Sequence, residues 1–274
     1  MTRPYKLLLA LLFCFNQSYS QDLFNLDNTL NFANYLKNRG DFSFALEEYH
    51  RAYFLSPHNN NIQHEILLIN RKLGLFNKSL DFIEKLENSN QINREELFCF
   101  LKLKDFKKLN LALNNKNLLL YDNDYYFFKT STLLLEEKWK EANQYILSLN
   151  SDQKNPFTKE YSLIISEKSL IKKKNPYVAS VFSILVPGLG KLYTGDKKDA
   201  LFSFLTICLG AWQATNSFSD SGIHSTSGWI YGGMALFLYS GNIYGSFSSA
   251  QKYNGNNQKI INEKINLNID NFMH

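Results

Sequence analysis

The sequence predicts an all-α protein in which an N-terminal α-solenoid of helix pairs is followed by a small helical membrane domain. Two observations predict this order. Aromatic side chains recur about every 34 residues through the first 150 positions, a period typical of helical repeats. From Ala200 to Gln251 the only formal charge is that of Asp220, a depletion typical of membrane segments. A chain of 274 residues is long enough for two such domains.

The first 20 residues combine positive charge, a short apolar run and small residues, at Arg3, Lys6, 7–15, Ser18 and Ser20. This order predicts a secretory signal peptide over residues 1–20, cleaved after Ser20, because the apolar run is too short to span a membrane. Cys14 follows the bulky Phe13, which disfavours a lipoprotein signal. The remaining Cys99 and Cys208 form neither a disulfide framework nor a cysteine metal site.

Four related segments make up the repeats. RGDFSFALEEYHRAYFLSP (39–57) aligns with LGLFNKSLDFIEKLENS (73–89), and two weaker copies are LKDFKKLNLAL (103–113) and EEKWKEANQYIL (136–147). The alignment places Phe42, Phe76, Phe106 and Trp139 at equivalent positions, so we expect them in the repeat core.

The first copy resembles the tetratricopeptide repeat, a pair of antiparallel helices, through Gly40, Asp41, Phe42, Ala45, Leu46, Tyr49, Ala52 and Pro57. Glycine permits the turn between helices, alanine permits close approach, and proline ends the second helix. The predicted repeat core comprises Gly40, Phe42, Ala45, Tyr49, Ala52, Pro57, Gly74, Phe76, Phe106, Trp139 and Ala142. In repeats three and four, Lys104 and Glu137 stand where the turn glycine is expected.

The repeat domain is predicted over residues 21–172. Its helices are expected near 28–39, 42–56, 62–73, 76–88, 93–103, 105–115, 122–136 and 138–150, with a closing helix from 157 to about 172. The resemblance implies a concave surface that binds a protein or peptide partner. Candidate surface residues on the first helices are Asn34, Lys37, Asn70 and Arg71.

No catalytic, metal or cofactor constellation is recognised in the sequence. The adjacent glutamates 47–48 and 95–96 point about 100° apart on a helix, so they do not share a proton. The five histidines lack metal-ligand spacing, and no Gly-x-Ser-x-Gly motif is present. We therefore expect a protein that is not an enzyme and has no cofactor. Nucleic-acid binding is not expected either, because the many lysines are interleaved with acidic residues.

The stretch VPGLGKLYTGDKKDALFSF (186–204) interrupts an apolar region with glycines and charges. A phosphate-binding loop requires Gly-x-x-x-x-Gly-Lys-Ser/Thr, but here Leu192 follows Lys191 and the earlier glycine is absent. A backbone turn beside or inside a membrane is the better interpretation.

The membrane domain is predicted over residues 173–253. It contains a short apolar segment at 177–193, transmembrane helices at about 199–217 and 228–248, and is followed by a flexible tail at 254–274. Lysines flank the two long segments but are absent from their connecting loop, which predicts a periplasmic loop. Two topologies remain open: three passages with periplasmic repeats, or an interfacial first segment with cytoplasmic repeats.

The turn resembles the signature of bacterial two-transmembrane-helix domains through Pro187, Gly188, Gly190, Tyr193 and Gly195. Lys191 departs from that pattern. The resemblance implies a membrane module with no assigned chemistry. In the last segment Gly241, Asn242 and Gly245 are predicted to serve helix packing, within the hairpin or with a second copy. A substrate site at Asn242 is the alternative.

Together these features predict a membrane-anchored adaptor or scaffold of the bacterial cell envelope that binds a protein partner. The expected location is the inner membrane, with several passages, a periplasmic repeat domain and a lipid bilayer as second partner. The alternative is a membrane subunit of a transport or secretion assembly.

Overall fold

The computed structural model describes residues 25–115, 118–150, 153 and 155–273. The predicted signal peptide lies outside these residues. The regular secondary structure of the described residues is all helical, without a strand, as predicted. It forms two compact units that divide between Tyr121 and Asp122, so residues 122–172 belong with the C-terminal part.

Within its described residues, the first unit contains six helices in consecutive pairs: α1 (Leu26–Arg39), α2 (Phe42–Leu55), α3 (Asn60–Lys72), α4 (Phe76–Ile83), α5 (Asn90–Leu103) and α6 (Phe106–Leu113). Side-chain caps fix several of the first helical turns. Asn25, Asn59 and Ser89 accept hydrogen bonds from the free backbone N–H groups of α1, α3 and α5. The paired helices are those expected of an α-solenoid.

Small residues let the first helices approach closely. Ala33, Ala45 and Ala52 are completely buried, and Tyr49 is almost so. Isoleucine and leucine side chains of α3 complete the same apolar core. Each helix therefore buries one stripe against its neighbours, which supplies most of its stability.

The turn between the helices of each pair uses a left-handed backbone residue. The φ angles are 84° at Gly40, 70° at Gly74, 57° at Lys104 and 59° at Glu137. The lysine and glutamate thus adopt the conformation of the glycines they replace. This shared turn geometry recurs at all four repeat positions, although the fourth lies in the second unit.

Replacing Lys104 or Glu137 with glycine is expected to raise the free energy of unfolding by about 0.5 to 1 kcal/mol. A side chain in the left-handed region costs about 1 to 2 kcal/mol, and the flexibility of glycine in the unfolded chain offsets part of that gain. Gly40→Ala and Gly74→Ala should lower the free energy of unfolding. The cause is backbone strain alone, because no atom lies within 4 Å of the added methyl group. Urea denaturation followed by circular dichroism measures all four. A lower free energy of unfolding for both Lys104→Gly and Glu137→Gly would contradict the shared turn.

The second unit begins with α7 (Asp122–Leu135), α8 (Trp139–Ser148) and α9 (Pro156–Leu170). It continues with α10 (Pro176–Leu185), α11 (Leu189–Thr194), α12 (Lys197–Ser221), a short 3-10 helix (Gly222–His224) and α13 (Thr226–Met273). Asn155 and Asn175 each cap a helix that has proline in its first turn. The apolar segment predicted at 177–193 is thus two helices, broken at 186–188.

An aromatic core joins α7, α9 and the end of α13. The rings of Phe127 and Phe272 stack with centroids 3.7 Å apart, and Phe128, Phe157 and Tyr161 surround them. Burial raises the pKa of Tyr161 far above its ordinary value, so its hydroxyl stays neutral and hydrogen-bonded to Ser131, 2.7 Å away.

The segment 254–274, expected to be a flexible tail, is helical through Met273 and forms the end of α13. Ile265 and Ile269 are fully buried while Leu267 between them is 61% exposed. Ile261, Ile265 and Ile269 are four residues apart and therefore share one helical face. That face packs on the helices of the same unit, which the sequence pattern did not reveal.

The predicted multi-pass inner-membrane location is wrong on the structure. Among the described residues, no helix combines enough length with enough apolar character to cross a bilayer. The helices predicted at 199–217 and 228–248 do form, as parts of α12 and α13. They carry serine, threonine, asparagine and glycine throughout, which lowers their hydropathy despite the lack of charge.

Candidate functional site

A polar groove of about 700 Å³ lies on the first unit. One wall is the connection between α2 and α3 with the start of α3, and the other is the connection between α4 and α5. Most of its lining side chains carry amide, imidazole or hydroxyl groups, among them Tyr53, His64, Asn88, Gln91 and Tyr121. The Gln91 amide donates to His64 Nδ1 at 2.6 Å. Such a surface can exchange hydrogen bonds with a polar chain in either direction.

Ion pairs tie successive first helices of the repeats together. Lys37 Nζ lies 2.9 Å from Glu65 Oε1, and Arg71 lies 3.2 Å from the almost completely buried Glu95. Partial burial alone would lower the pKa of Lys37, but the hydrogen bond and charge of Glu65 raise it overall. Burial raises the pKa of Glu95, partly offset by the charge of Arg71. These pairs link α1 to α3 and α3 to α5.

The candidate surface residues on the first helices have different environments. Asn34 is exposed and accepts a hydrogen bond from the Tyr49 hydroxyl at 2.6 Å. Lys37 and Arg71 are half-buried in ion pairs. Asn70, expected on the surface, is only 1% exposed. The reason is its place at the end of α3, where its carbonyl accepts the turn N–H of Leu75 and its side chain faces inward.

The predicted core aromatics are half-buried. Phe42, Phe76, Phe106 and Trp139 are the first residues of α2, α4, α6 and α8, so they lie at the turn end of each pair. The small positions are the deepest: Ala45, Ala52 and Ala142 are inaccessible and Tyr49 is 1% exposed, whereas Pro57 is exposed after α2.

The predicted turn motif connects α10, α11 and α12. Gly188 and Gly195 have φ angles of 85° and 93° and flank α11, and Pro187 precedes the first of them. The Tyr193 hydroxyl accepts the backbone N–H of Asn175 at 3.3 Å. The motif thus folds α11 back beside the start of α10.

Gly190 lies at the tightest contact of this motif. A methyl group there would be 2.0 Å from the carbonyl oxygen of Ala179 and 2.7 Å from Cβ of Ser246. Its N–H donates to the Ser183 hydroxyl at 3.0 Å, which in turn lies 2.6 Å from the Ser246 hydroxyl. Glycine is therefore required by the close approach of α10, α11 and α13.

The predicted packing residues Gly241, Asn242 and Gly245 do not share one contact face. Gly241 has open space beside it, whereas Gly245 lies against the Lys191 side chain. Asn242 is 4% exposed, and neither atom of its amide has a partner among the described residues. Between α12 and α13, Gly210 lies opposite Ala235, and Gly228 lies beside the ring of Phe218. In the sequence, the only feature that marks these two glycines is their place in the charge-depleted segment from Ala200 to Gln251.

Exposed apolar side chains line both α12 and the first half of α13, and we call them together the apolar face. Its large side chains are 47% to 77% exposed: Leu201, Phe202, Leu205, Leu209, Trp212, Trp229, Ile230, Met234, Leu236 and Phe237. The two helices are antiparallel, and the face carries no formal charge apart from Asp220 near its far end. Large exposed apolar side chains in this number mark an interaction site.

No group of histidine, cysteine and carboxylate side chains within the described ranges could hold a metal ion. Comparison with known proteins gives no match to any family model, curated protein or solved structure. The geometry of the groove and of the apolar face is therefore the basis for assigning a function.

Proposed function

We propose that this protein is a non-catalytic helical-repeat adaptor. It binds an extended segment of a partner protein in the groove of its first unit, and it attaches to a lipid surface through the apolar face of its second unit. The polar groove of about 700 Å³ on a stack of helix pairs is the observation that supports partner binding most directly.

The groove favours a peptide because its amide-rich walls can pair with the N–H and C=O groups of an extended main chain. Its volume lies within the range of about 300 to 1,000 Å³ of known ligand pockets. Few of its lining residues are charged, with Lys85 and Glu87 of opposite sign, so an uncharged polar segment suits it best.

The apolar face favours a lipid surface because several lysines lie at one of its ends. Lys174 N donates to Asn254 Oδ1 at 2.9 Å, and α12 starts at Lys197, so lysines gather at one end of the antiparallel pair. They are Lys172, Lys173, Lys174, Lys191, Lys197, Lys198 and Lys252. Lysines bordering an apolar surface suit anionic head groups, and Trp212 and Trp229 suit the membrane interface.

Selection of a displayed peptide library on the full-length chain tests the groove. Enriched peptides should bind at least about tenfold more weakly to the double variant Asn88→Arg, Gln91→Arg, because two bulky cations would obstruct the groove. The matched control is Asn143→Arg, Gln144→Arg, exposed on α8 in the second unit. Equal binding to both double variants would contradict the groove assignment.

Flotation with vesicles of phosphatidylglycerol and phosphatidylcholine tests the apolar face. The full-length protein should float, and Leu236→Lys, Phe237→Lys should weaken its partitioning at least about tenfold. Leu147→Lys, at an equally exposed leucine of α8, is the control. Vesicles should also protect the exposed Cys208 from a maleimide, whereas Cys99 stays unreactive because burial raises its pKa to about 12. A wild-type protein that neither floats nor protects Cys208 would contradict lipid attachment.

The alternative of a membrane subunit in a transport or secretion assembly stays a prediction.

A further inference from the structure

A second, smaller groove lies at the Pro-Gly-x-Gly turn. It encloses about 250 Å³ between the segment 186–192 and the start of α12, and we call it the turn groove. Gly188 lets these walls meet, because a methyl group at this position would lie 2.2 Å from the carbonyl oxygen of Ala200. The groove is thus a feature of the turn motif itself.

The walls of the turn groove are apolar. They are formed mainly by Val186, Pro187, Leu192, Leu201 and Phe204, and the four large side chains other than proline are 41% to 61% exposed. The volume is below the range of about 300 to 1,000 Å³ of pockets for drug-sized ligands. A single alkyl chain end suits this shape and polarity better than a bulky or polar ligand.

One charged residue lines the turn groove. Lys197 is exposed and makes no ion pair among the described residues, although Asp196 and Asp199 are close in sequence. Its ammonium group therefore remains available to an anion beside the apolar walls. An apolar groove with an unpaired lysine is complementary to an alkyl chain that carries an anionic head.

We propose that the turn groove binds the end of one fatty acyl chain whose anionic head group lies beside Lys197. The acyl chain belongs to a free fatty acid or to an anionic lipid of a bilayer. The site lies within the region proposed to attach to lipid, but acyl binding and vesicle attachment can fail separately.

Photolabelling of the full-length protein tests the assignment. The probe is decanoic acid with a diazirine at its chain end, and mass spectrometry locates the adducts. They should concentrate in residues 186–204. Unlabelled hexanoate, octanoate and decanoate should compete with the probe. The concentration needed for half inhibition of labelling should fall about tenfold for each two added methylene groups, because each methylene adds apolar burial.

Two neighbouring lysines separate a specific head-group contact from general charge. Lys197→Met should weaken decanoate competition roughly three- to fivefold and leave decanol unchanged, as expected of an exposed ion pair. Lys198→Met, which removes an adjacent lysine that does not line the groove, should change neither ligand. Leu201→Trp should reduce labelling because the larger side chain fills the groove. Leu201 is exposed, so the variant should fold, and circular dichroism checks this.

The source of the chain is tested with the same photoreactive group on phosphatidylglycerol in vesicles. Labelling of 186–204 by the free acid alone, by the vesicle lipid alone or by both supports the proposal and identifies the source. Adducts spread evenly over the apolar face, no dependence on chain length, or equal effects of Lys197→Met and Lys198→Met would overturn it. Flotation without groove labelling would leave lipid attachment intact and remove the acyl site alone.

Discussion

Replacing Phe272 with alanine is expected to lower the free energy of unfolding of the second unit by about 3 to 5 kcal/mol. The ring is 8% exposed and stacks on Phe127, with Phe128 and Phe157 at its edges. Its removal leaves a cavity among aromatic side chains that face one another from three helices and cannot collapse easily. The large effect would come from a residue two positions before the last one, in a segment whose sequence suggested a flexible tail.

Tryptophan fluorescence during urea unfolding measures this effect selectively. All three tryptophans, Trp139, Trp212 and Trp229, belong to the second unit, so the signal reports that unit alone. Leu170→Ala is the control, because Leu170 is 81% exposed in the same unit and its truncation should stay within about 0.5 kcal/mol. A loss below 1 kcal/mol for Phe272→Ala would mean that the end of α13 does not pack as described.

Gly190→Ala is expected to destabilise the second unit by about 3 kcal/mol or more. The added methyl group would overlap the carbonyl of Ala179 and the side chains of Ser183 and Ser246, so α11 has to move away from α10 and α13. That movement also breaks the hydrogen bond from Gly190 N to Ser183. Backbone is the nearest obstacle, and it cannot swing aside as a long side chain does.

A second glycine of the same unit provides the matched control. Gly233 lies in α13 with open space beside it, so Gly233→Ala should stabilise the helix by up to about 1 kcal/mol. The unfolding temperature measured by tryptophan fluorescence should therefore fall for Gly190→Ala and rise for Gly233→Ala. Shifts of equal sign and size would show that the contact at Gly190 is not the reason for its effect.

Much of the helical framework was predictable from local sequence. The order of helix pairs follows from the spacing of Phe42, Phe76, Phe106 and Trp139, and the all-helical class is confirmed. The turn conformation of Lys104 and Glu137 could not be predicted from residue type, since neither residue favours a left-handed backbone. It is imposed by the pairing of the helices on either side.

The candidate sites depend on contacts that local patterns do not contain. The groove of the first unit forms from connections near His64 and Gln91, which are 27 positions apart. In the sequence, the asparagine and glutamine residues that line the groove look the same as those of any solvent-exposed loop. Charge depletion from Ala200 to Gln251 located the apolar face, but it also led to the incorrect expectation of membrane-spanning helices.

The 48 uninterrupted residues of α13 make it a rod about 70 Å long. Its first half belongs to the apolar face, and its second half is held by the aromatic core. No proline interrupts it, and its backbone is continuous from Thr226 to Met273. A displacement of the apolar half on contact with a surface can therefore reach Phe272, and the helices packed on it, through one continuous backbone.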